Sequence, residues 1–312
     1  MLSHYNQGLH LLLEVNSMPN LITAIESAIT ATTGQPFHVK QQRSVGGGCI
    51  NQALVLSDGA VGGRQYFVKL NRAALHGMFV AEAAGLAALS AGIRVPQPIA
   101  HGVCDGQAWL VLEYLPLSGA PDPNAMGQAL AQLHRITPTG APSFGWEMDN
   151  TIGSTPQSNR WRESWVDFWR EERLLPQFKL ARKNGCDFGA AGAQLLDKLP
   201  EFFRDYTPQP SLLHGDLWGG NAAGLADGTP VIFDPACYFG DRECDLAMTE
   251  LFGGFGPRFL AAYHAAWPID AGYAQRKTLY NLYHIVNHVN LFGSGYAGQA
   301  RQMIASLLRM AA

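Results

Sequence analysis

The sequence predicts an α+β chain in which strands gather before residue 116 and helices dominate after it. Three observations carry this expectation. Short runs rich in β-branched and aromatic residues, at 38–45, 50–57, 65–70 and in a pair ending at 108–116, crowd the first third with turn residues between them. From Asn124 onward apolar residues recur mainly at helical spacing. A turn-rich stretch at 119–123 separates the two regimes. The 312 residues suffice for about two domains and a real core. We divide them into an extension at 1–17, a strand-rich lobe at 18–116 and a helical lobe at 117–312.

Composition removes several classes of function. A formal net charge of −3 gives no electrostatic case for nucleic acid or an anionic membrane surface. No apolar run approaches the roughly 18 residues of a membrane span. Five cysteines, without C-x-x-C or Cys/His metal spacing, suit free thiols in a reducing compartment. Residues 1–17 have no basic leader and only a brief apolar patch, so they make a poor signal peptide, and Met18 could be the true start. A cytoplasmic enzyme is expected.

Each element has its own justification. Residues 21–30 alternate at helical spacing until Gly34-Gln35-Pro36 ends them. Gly46, Gly47, Gly48 and Cys49 lie between two strands. Such a run lets the backbone approach a ligand and cradle phosphate, although a plain hairpin turn has the same composition. It is not a Walker A loop, because no Gly-Lys-Ser/Thr follows. Cys49 is either a redox-sensitive thiol of that loop or an inert buried one. Lys69 interrupts an apolar strand. In the helix that follows, Leu75, Phe79, Glu82, Leu86 and Leu89 form one stripe at spacings of 4, 3, 4 and 3. An unpaired carboxylate in that stripe would be costly to bury, so Lys69 is the expected partner of Glu82, unless the helix is rotated to put Glu82 at the stripe's edge.

The run into Glu113-Tyr114-Leu115 leaves the first lobe as a linker or ends as an ordinary edge strand. Residues 124–135 read as a helix with Leu130 and Leu133 inward. Residues 144–157 form a polar, aromatic, turn-rich segment of the kind that binds small polyols. Residues 161–182 read as a helix whose Trp161, Trp165, Phe168 and Trp169 serve the core. Leu212-Leu213 and Val231-Ile232-Phe233 read as two short strands, expected to pair across the intervening turns. Asp241-Arg242-Glu243 opens a helix in which Asp245 either ties down the preceding loop or sits solvated at the positive helix end. Helices follow at 259–267, 271–292 and 296–310. His284 and His288 lack an H-E-x-x-H context and read as packing or surface residues. The G-x-G-x-x-G match at 293–298 has no strand before it and reads as a turn between helices.

The chemistry concentrates in H-G-D-L-W-G-G-N at 214–221 and in Asp234 at the end of the next apolar run. The spacing parallels the catalytic loop H-R-D-L-x-x-x-N of protein kinases. In phosphoryl transfer of that type one Asp accepts a hydrogen bond from the attacking hydroxyl. An Asn and a later Asp hold Mg²⁺ on the nucleotide phosphates, and a strand lysine grips the α/β-phosphates.

From about Phe37 to the C-terminus the chain resembles the fructosamine/ketosamine 3-kinase family, within the wider aminoglycoside-phosphotransferase-like kinases. The segments that carry the resemblance are S-V-G-G-G-C-I-N (44–51), D-N-T-I-G-S-T-P-Q (149–157), H-G-D-L-W-G-G-N (214–221) and D-P-A-C-Y-F-G-D-R-E-C-D-L-A-M (234–248). The third also suits choline and aminoglycoside kinases; I-G-S-T-P-Q and Y-F-G-D-R-E are narrower. The resemblance implies a protein-kinase-like bilobal fold that uses ATP and Mg²⁺ to phosphorylate the sugar 3-hydroxyl of a glycated amine, small or protein-bound. Elimination of the 3-phosphate then frees the amine. It implies Asp216 as base, Asn221 and Asp234 as magnesium ligands, Lys69 as phosphate anchor oriented by Glu82, and Gly46–Gly48 over the phosphates. Glu113, Tyr114 and Leu115 would hold adenine, and Trp218, His214 and Asp241 would lie on the substrate side. Asp234 is followed by Pro235-Ala236 rather than Phe-Gly, and no Ala-Pro-Glu follows, which argues against control by a phosphorylated activation loop. A kinase for another small alcohol (an aminoglycoside, choline or homoserine), a nucleotide-binding pseudokinase and an ATP-cleaving hydrolase are the alternatives.

Overall fold

A computed structural model describes residues 19–46, 50–140 and 143–311. The expectations for 1–17 and for Gly47, Gly48 and Cys49 lie outside the described residues.

The first lobe opens with helix α1 (Pro19–Thr33). It continues through β1 (Gln41–Val45), β2 (Gln52–Ser57), β3 (Gln65–Arg72), α2 (His76–Leu89), β4 (Pro98–Cys104) and β5 (Gln107–Glu113). The strands form one antiparallel sheet in the order β1-β2-β3-β5-β4. Its two faces are both covered. Leu21, Ile25 and Ile29 of α1 pack with Leu54, Leu56, Val68, Leu70 and Val111 on one side. On the other, Phe79, Leu86 and Leu89 of α2 pack with Ala108, Leu110 and Leu112. The α2 stripe is therefore real from Phe79 onward; Leu75 precedes the helix in a short 3₁₀ turn.

The second lobe contains α3 (Pro123–Leu133), a small hairpin β6 (Asn150–Ile152) and β7 (Thr155–Gln157), α4 (Trp165–Phe168), α5 (Leu175–Lys183) and α6 (Gly189–Lys198). Short strands β8 (Pro210–Leu213), β9 (Ala222–Gly224), β10 (Pro230–Ile232) and β11 (Tyr238–Asp241) follow, then α7 (Glu243–Leu251), α8 (Pro257–Ala266), α9 (Tyr273–Phe292) and α10 (Ala297–Met310). The α2 core runs without a break into this lobe through Met126, Leu130, Leu133, Leu212, Ile232 and Phe259, so α2 belongs mechanically to both. None of the described helices is long and apolar enough to cross a membrane.

Three expectations are corrected. The strands at 212–213 and 231–233 do not pair with each other: β8 pairs with β11 and β10 with β9, so the loop between them is held by two separate ladders. The aromatic helix begins later than expected. Ser164 caps it by accepting from Asp167 N (3.2 Å), and a single π-helical turn at Trp169–Leu174 joins α4 to α5. Trp165, Phe168 and Trp169 are buried as core, but Trp161 lies outside the helix and stacks on Phe239 at 6.1 Å. The segment at 144–157 is also more than a loop, since it contains the β6–β7 hairpin.

Candidate active site

The pleat of β3 decides where Lys69 points. Successive side chains in a strand face opposite ways. Val68 and Leu70 pack toward α1, so Phe67 and Lys69 face α2. There Lys69 Nζ lies 2.5 Å from Glu82 Oε1 and 2.5 Å from Asp234 Oδ1, which comes from the other lobe. Lys69 and Glu82 are buried, which rules out a rotated α2. Burial works against the Lys69 charge, but the carboxylates of Glu82 and Asp234 outweigh it and raise its proton affinity. Asp234 adopts φ 59°, a left-handed conformation that Asp tolerates better than most residues. That turn swings its carboxylate from the end of β10 toward the lysine.

The catalytic-loop motif is folded by its own backbone donors. Gly215 has φ 81°, and a Cβ there would sit 2.1 Å from the Ala236 carbonyl oxygen, so only glycine fits between the loop and the segment after Asp234. Asp245, buried at the start of α7, accepts from His214 N (2.7 Å) and Gly215 N (2.9 Å). Of the two readings of Asp245, the structure forms the one in which it ties down the loop. Burial opposes its charge, yet His134, His214 and the Gly215 N–H outweigh burial and hold the carboxyl below its ordinary range.

Asp216 is then presented half-buried, with Asn221 Nδ2 donating to its main-chain oxygen (2.8 Å) and its Oδ2 (3.2 Å). Phe233 N donates to Asn221 O (3.0 Å), which locks the loop to the residue before Asp234. Burial, reinforced by the Asp234 charge, pushes the Asp216 carboxyl well above its ordinary range. Residues 69, 82 and 234 thus form one hydrogen-bonded group and residues 216 and 221 a second, four segments in all, with the Phe233 N–H to Asn221 O bond joining the two groups. Trp218 is 39 % exposed beside it. Its indole lies over Gly220, where a Cβ would come within 2.3 Å of the ring.

The donor set suits a hard divalent cation. The Asn221 amide nitrogen is committed to Asp216, which leaves its oxygen, and Asp234 spends only Oδ1 on Lys69. One or two carboxylates, an amide oxygen and substrate phosphates are what Mg²⁺ accepts.

The family model for fructosamine kinase matches residues 21–310. The chain belongs to the fructosamine kinase family. A Synechocystis protein described as a probable ketoamine kinase is 52% identical over 290 residues, spanning 92% of this chain and 96% of its own length. The chloroplast protein-ribulosamine 3-kinase of Arabidopsis thaliana is 42% identical over 285 residues, 89% of this chain and 86% of that one. A crystal structure of a candidate fructosamine-3-kinase from Haemophilus somnus gives a TM-score of 0.83 at 29% identity, covering 93% of this chain and 100% of its own. A thermostable aminoglycoside phosphotransferase shares the fold, with a TM-score of 0.59 at 18% identity, over 92% of this chain and 99% of its own. The protein-kinase-like, two-lobed fold expected from the sequence is therefore the fold of this fructosamine kinase family member.

Two residues expected on the substrate side are not there. His214 is fully buried; Asp216 N donates to its Nδ1 (3.2 Å), so Nε2 carries the proton and donates to Phe233 O (2.9 Å). Burial lowers its proton affinity, so the ring stays neutral. It is a strut between the Asp216 loop and the Asp234 strand. Asp241 is also fully buried, accepting from Tyr206 Oη (2.9 Å), Tyr280 Oη (2.5 Å) and Glu243 N (3.0 Å). Its neighbours are equally structural. Arg242 donates to Pro268 O (2.5 Å), and Glu243 takes Arg276 at 2.7 and 3.1 Å. The narrow family segment at 238–243 is thus a buried polar knot behind the site.

The I-G-S-T-P-Q segment is likewise anchored inward. Gln157 donates to Asn150 Oδ1 (2.7 Å) and accepts from Tyr283 Oη (2.6 Å), while Asn150 donates to Cys237 O (2.8 Å), three residues past Asp234. Glu113 spends its carboxylate on Arg94 and on Gln97 N (3.2 Å), leaving the backbone of Tyr114 and Leu115 as the linker's contribution. Gly46 is exposed, with open space around a notional Cβ.

His134 is the residue that sequence reading missed. It lies just past α3, fully buried, with Nε2 3.2 Å from Asp245 Oδ2 and Nδ1 2.8 Å from Tyr263 Oη. A histidine ending an amphipathic helix looks like an ordinary surface residue, so nothing local marks it. Asn71 was also missed. Its Nδ2 donates to Asn51 Oδ1 (2.7 Å) and Ile50 O (3.2 Å), tying the end of the glycine-rich loop to the Lys69 strand.

Proposed function

We propose that the protein is an ATP-dependent kinase that phosphorylates the 3-hydroxyl of ketosamines and so promotes their deglycation. The observation that carries this reading is the bridge from Lys69 to both Glu82 and Asp234, with Asp216 and Asn221 hydrogen-bonded alongside. Family membership narrows the acceptor to a glycated amine, the substrate class named for the Arabidopsis relative.

In this mechanism Asp216 orients the attacking hydroxyl with the carboxylate oxygen that Asn221 does not occupy. Its raised proton affinity equips it to take the proton late, as the new P–O bond forms. Lys69, kept protonated by its two carboxylates, supplies a fixed positive charge for the phosphates and needs no reorganisation as the reaction proceeds. Glu82 stops that ammonium from wandering. Asn221 and Asp234 would hold Mg²⁺, which when bound neutralises phosphate charge. Trp218 offers a ring face for the sugar, and the linker backbone at 114–115 takes the adenine edge.

An acceptor screen with labelled ATP tests the reading. Fructosyl, ribulosyl and erythrulosyl amines should become labelled and then lose phosphate with release of amine. Labelling of choline or an aminoglycoside in preference to every ketosamine would refute it, as would phosphate release without any acceptor.

A further inference from the structure

A row of rings leads away from Trp218 across the surface of the second lobe. Trp218 meets Phe252 edge-on, with ring centroids 6.4 Å apart; Phe252 meets His288 at 4.9 Å, and His288 meets Phe292 at 5.3 Å and Tyr296 at 5.1 Å. The row joins three separate segments: the catalytic loop, the end of α7 and the α9–α10 junction. Phe252 is 38 % exposed, and Phe292, at 61 %, is one of the most exposed large apolar side chains described. His288 Nδ1 donates to His284 O (2.7 Å), which fixes the ring within the row. Residues 217–226, 251–256 and 284–298 contain no Lys, Arg, Asp or Glu, although 15% of the chain is charged. The surface therefore repels neither apolar groups nor the cationic amine of a ketosamine, which ring faces attract.

We infer that this row is a track for the peptide that carries the glycated amine, and that it selects apolar residues beside the modified lysine. The inference rests on the ketosamine reading above. With the sugar hydroxyl at Asp216 and Trp218 against the sugar, the amine substituent must leave the cleft. We take its course to follow the rings from Trp218 to Phe252 and on to the α9–α10 junction. Laid end to end, their steps of 6.4, 4.9 and 5.3 Å reach at most the length of an extended peptide of roughly five residues at about 3.3 Å each. A small amine would reach only the first ring.

The test uses three acceptors: a ketosyl-methylamine, a ketosyl-lysine peptide flanked by leucine and phenylalanine, and the same peptide flanked by glycine and serine. The unaltered enzyme should show a kcat/KM about tenfold higher for the apolar-flanked peptide than for the polar-flanked one, expressed mainly in KM. Phe292→Ala, far from Asp216 in the row and largely exposed, should erase most of that preference and leave ketosyl-methylamine within about twofold. Phe252→Ala should do the same for the residue nearer the lysine. Equal kcat/KM for both peptides, or an equal loss on all three acceptors in Phe292→Ala, would overturn the track while leaving the kinase reading intact. Failure of the unaltered enzyme to phosphorylate any of the three would overturn the ketosamine reading itself, and the track with it.

Discussion

Replacing Asp245 by asparagine removes one charge and one acceptor from a residue that never touches substrate. In the folded protein its carboxylate receives three N–H donors, from His214 N at 2.7 Å, Gly215 N at 2.9 Å and His134 Nε2 at 3.2 Å. An asparagine oxygen can keep the donors on one side only, and its NH₂ must then face another buried N–H. Hydrogen bonds to a charged group contribute about 1.5–3 kcal/mol each, and a buried donor left unpaired costs about 1–3 kcal/mol. The expected destabilisation is about 3–5 kcal/mol, near the cost of breaking a buried pair. In a chain of 312 residues that lowers Tm by roughly 5–8 °C. Because two of the donors are the main chain of the residues just before Asp216, turnover should fall more than tenfold even below the new Tm, with little change in the nucleotide KM. Thermal melts and steady-state kinetics on Asp245→Asn read both effects. A Tm within about 2 °C of the unaltered protein together with unchanged turnover would refute the claim that this carboxylate shapes the loop. The pH dependence has a definite sign. The folded carboxyl titrates below its ordinary 3.8, so its contribution is complete above that value and is lost as pH falls through the lowered one.

Three further outcomes follow from the same geometry. Asp216→Asn should lower turnover by roughly 10²–10⁴, the scale of a general base, while nucleotide still binds by calorimetry; near-normal turnover would remove Asp216 from the mechanism. Lys69→Met leaves Glu82 buried without its cation and should destabilise the fold by about 3–5 kcal/mol. Adding Glu82→Gln should restore most of that stability but none of the ATP use, whereas a double variant as unstable as the single would mean that the pair is not the source of the loss. His284 is buried and its proton affinity is pulled down by burial, then by His288, from 6.5 to about 3. The unfolded chain therefore takes up a proton that the folded one refuses. Stability is complete above about pH 6.5 and should fall by about 2 kcal/mol from pH 7 to pH 5, levelling near pH 3. His284→Gln should flatten that part of a urea-midpoint profile against pH, and parallel profiles would show that other groups dominate it.

What the sequence made legible divides along a physical line. Lys69, Glu82, Asp216, Asn221 and Asp234 were readable because each breaks a local rule. A lysine sits in an apolar strand, a glutamate in an apolar stripe, and three polar groups at strand ends in a fixed spacing. Residues that break a local preference without evident compensation are where function concentrates. His134 breaks no such rule, and only the fold brings it from the end of α3 to Asp245. His214 and Asp241 failed in the opposite sense. Both stand beside reactive groups in the sequence, but their side chains point inward and satisfy buried donors and acceptors. Strand pairing was misjudged for a related reason. Leu212-Leu213 and Val231-Ile232 are equally apolar, and periodicity says nothing of partners when two further strands, β9 and β11, compete for them. In the two narrower segments, at 152–157 and 238–243, Gln157 and Asp241 point inward and accept from Tyr283 and Tyr280. Gln157, through Asn150 and Cys237 O, ties the first of them to the segment just after Asp234 and so supports the position of that turn.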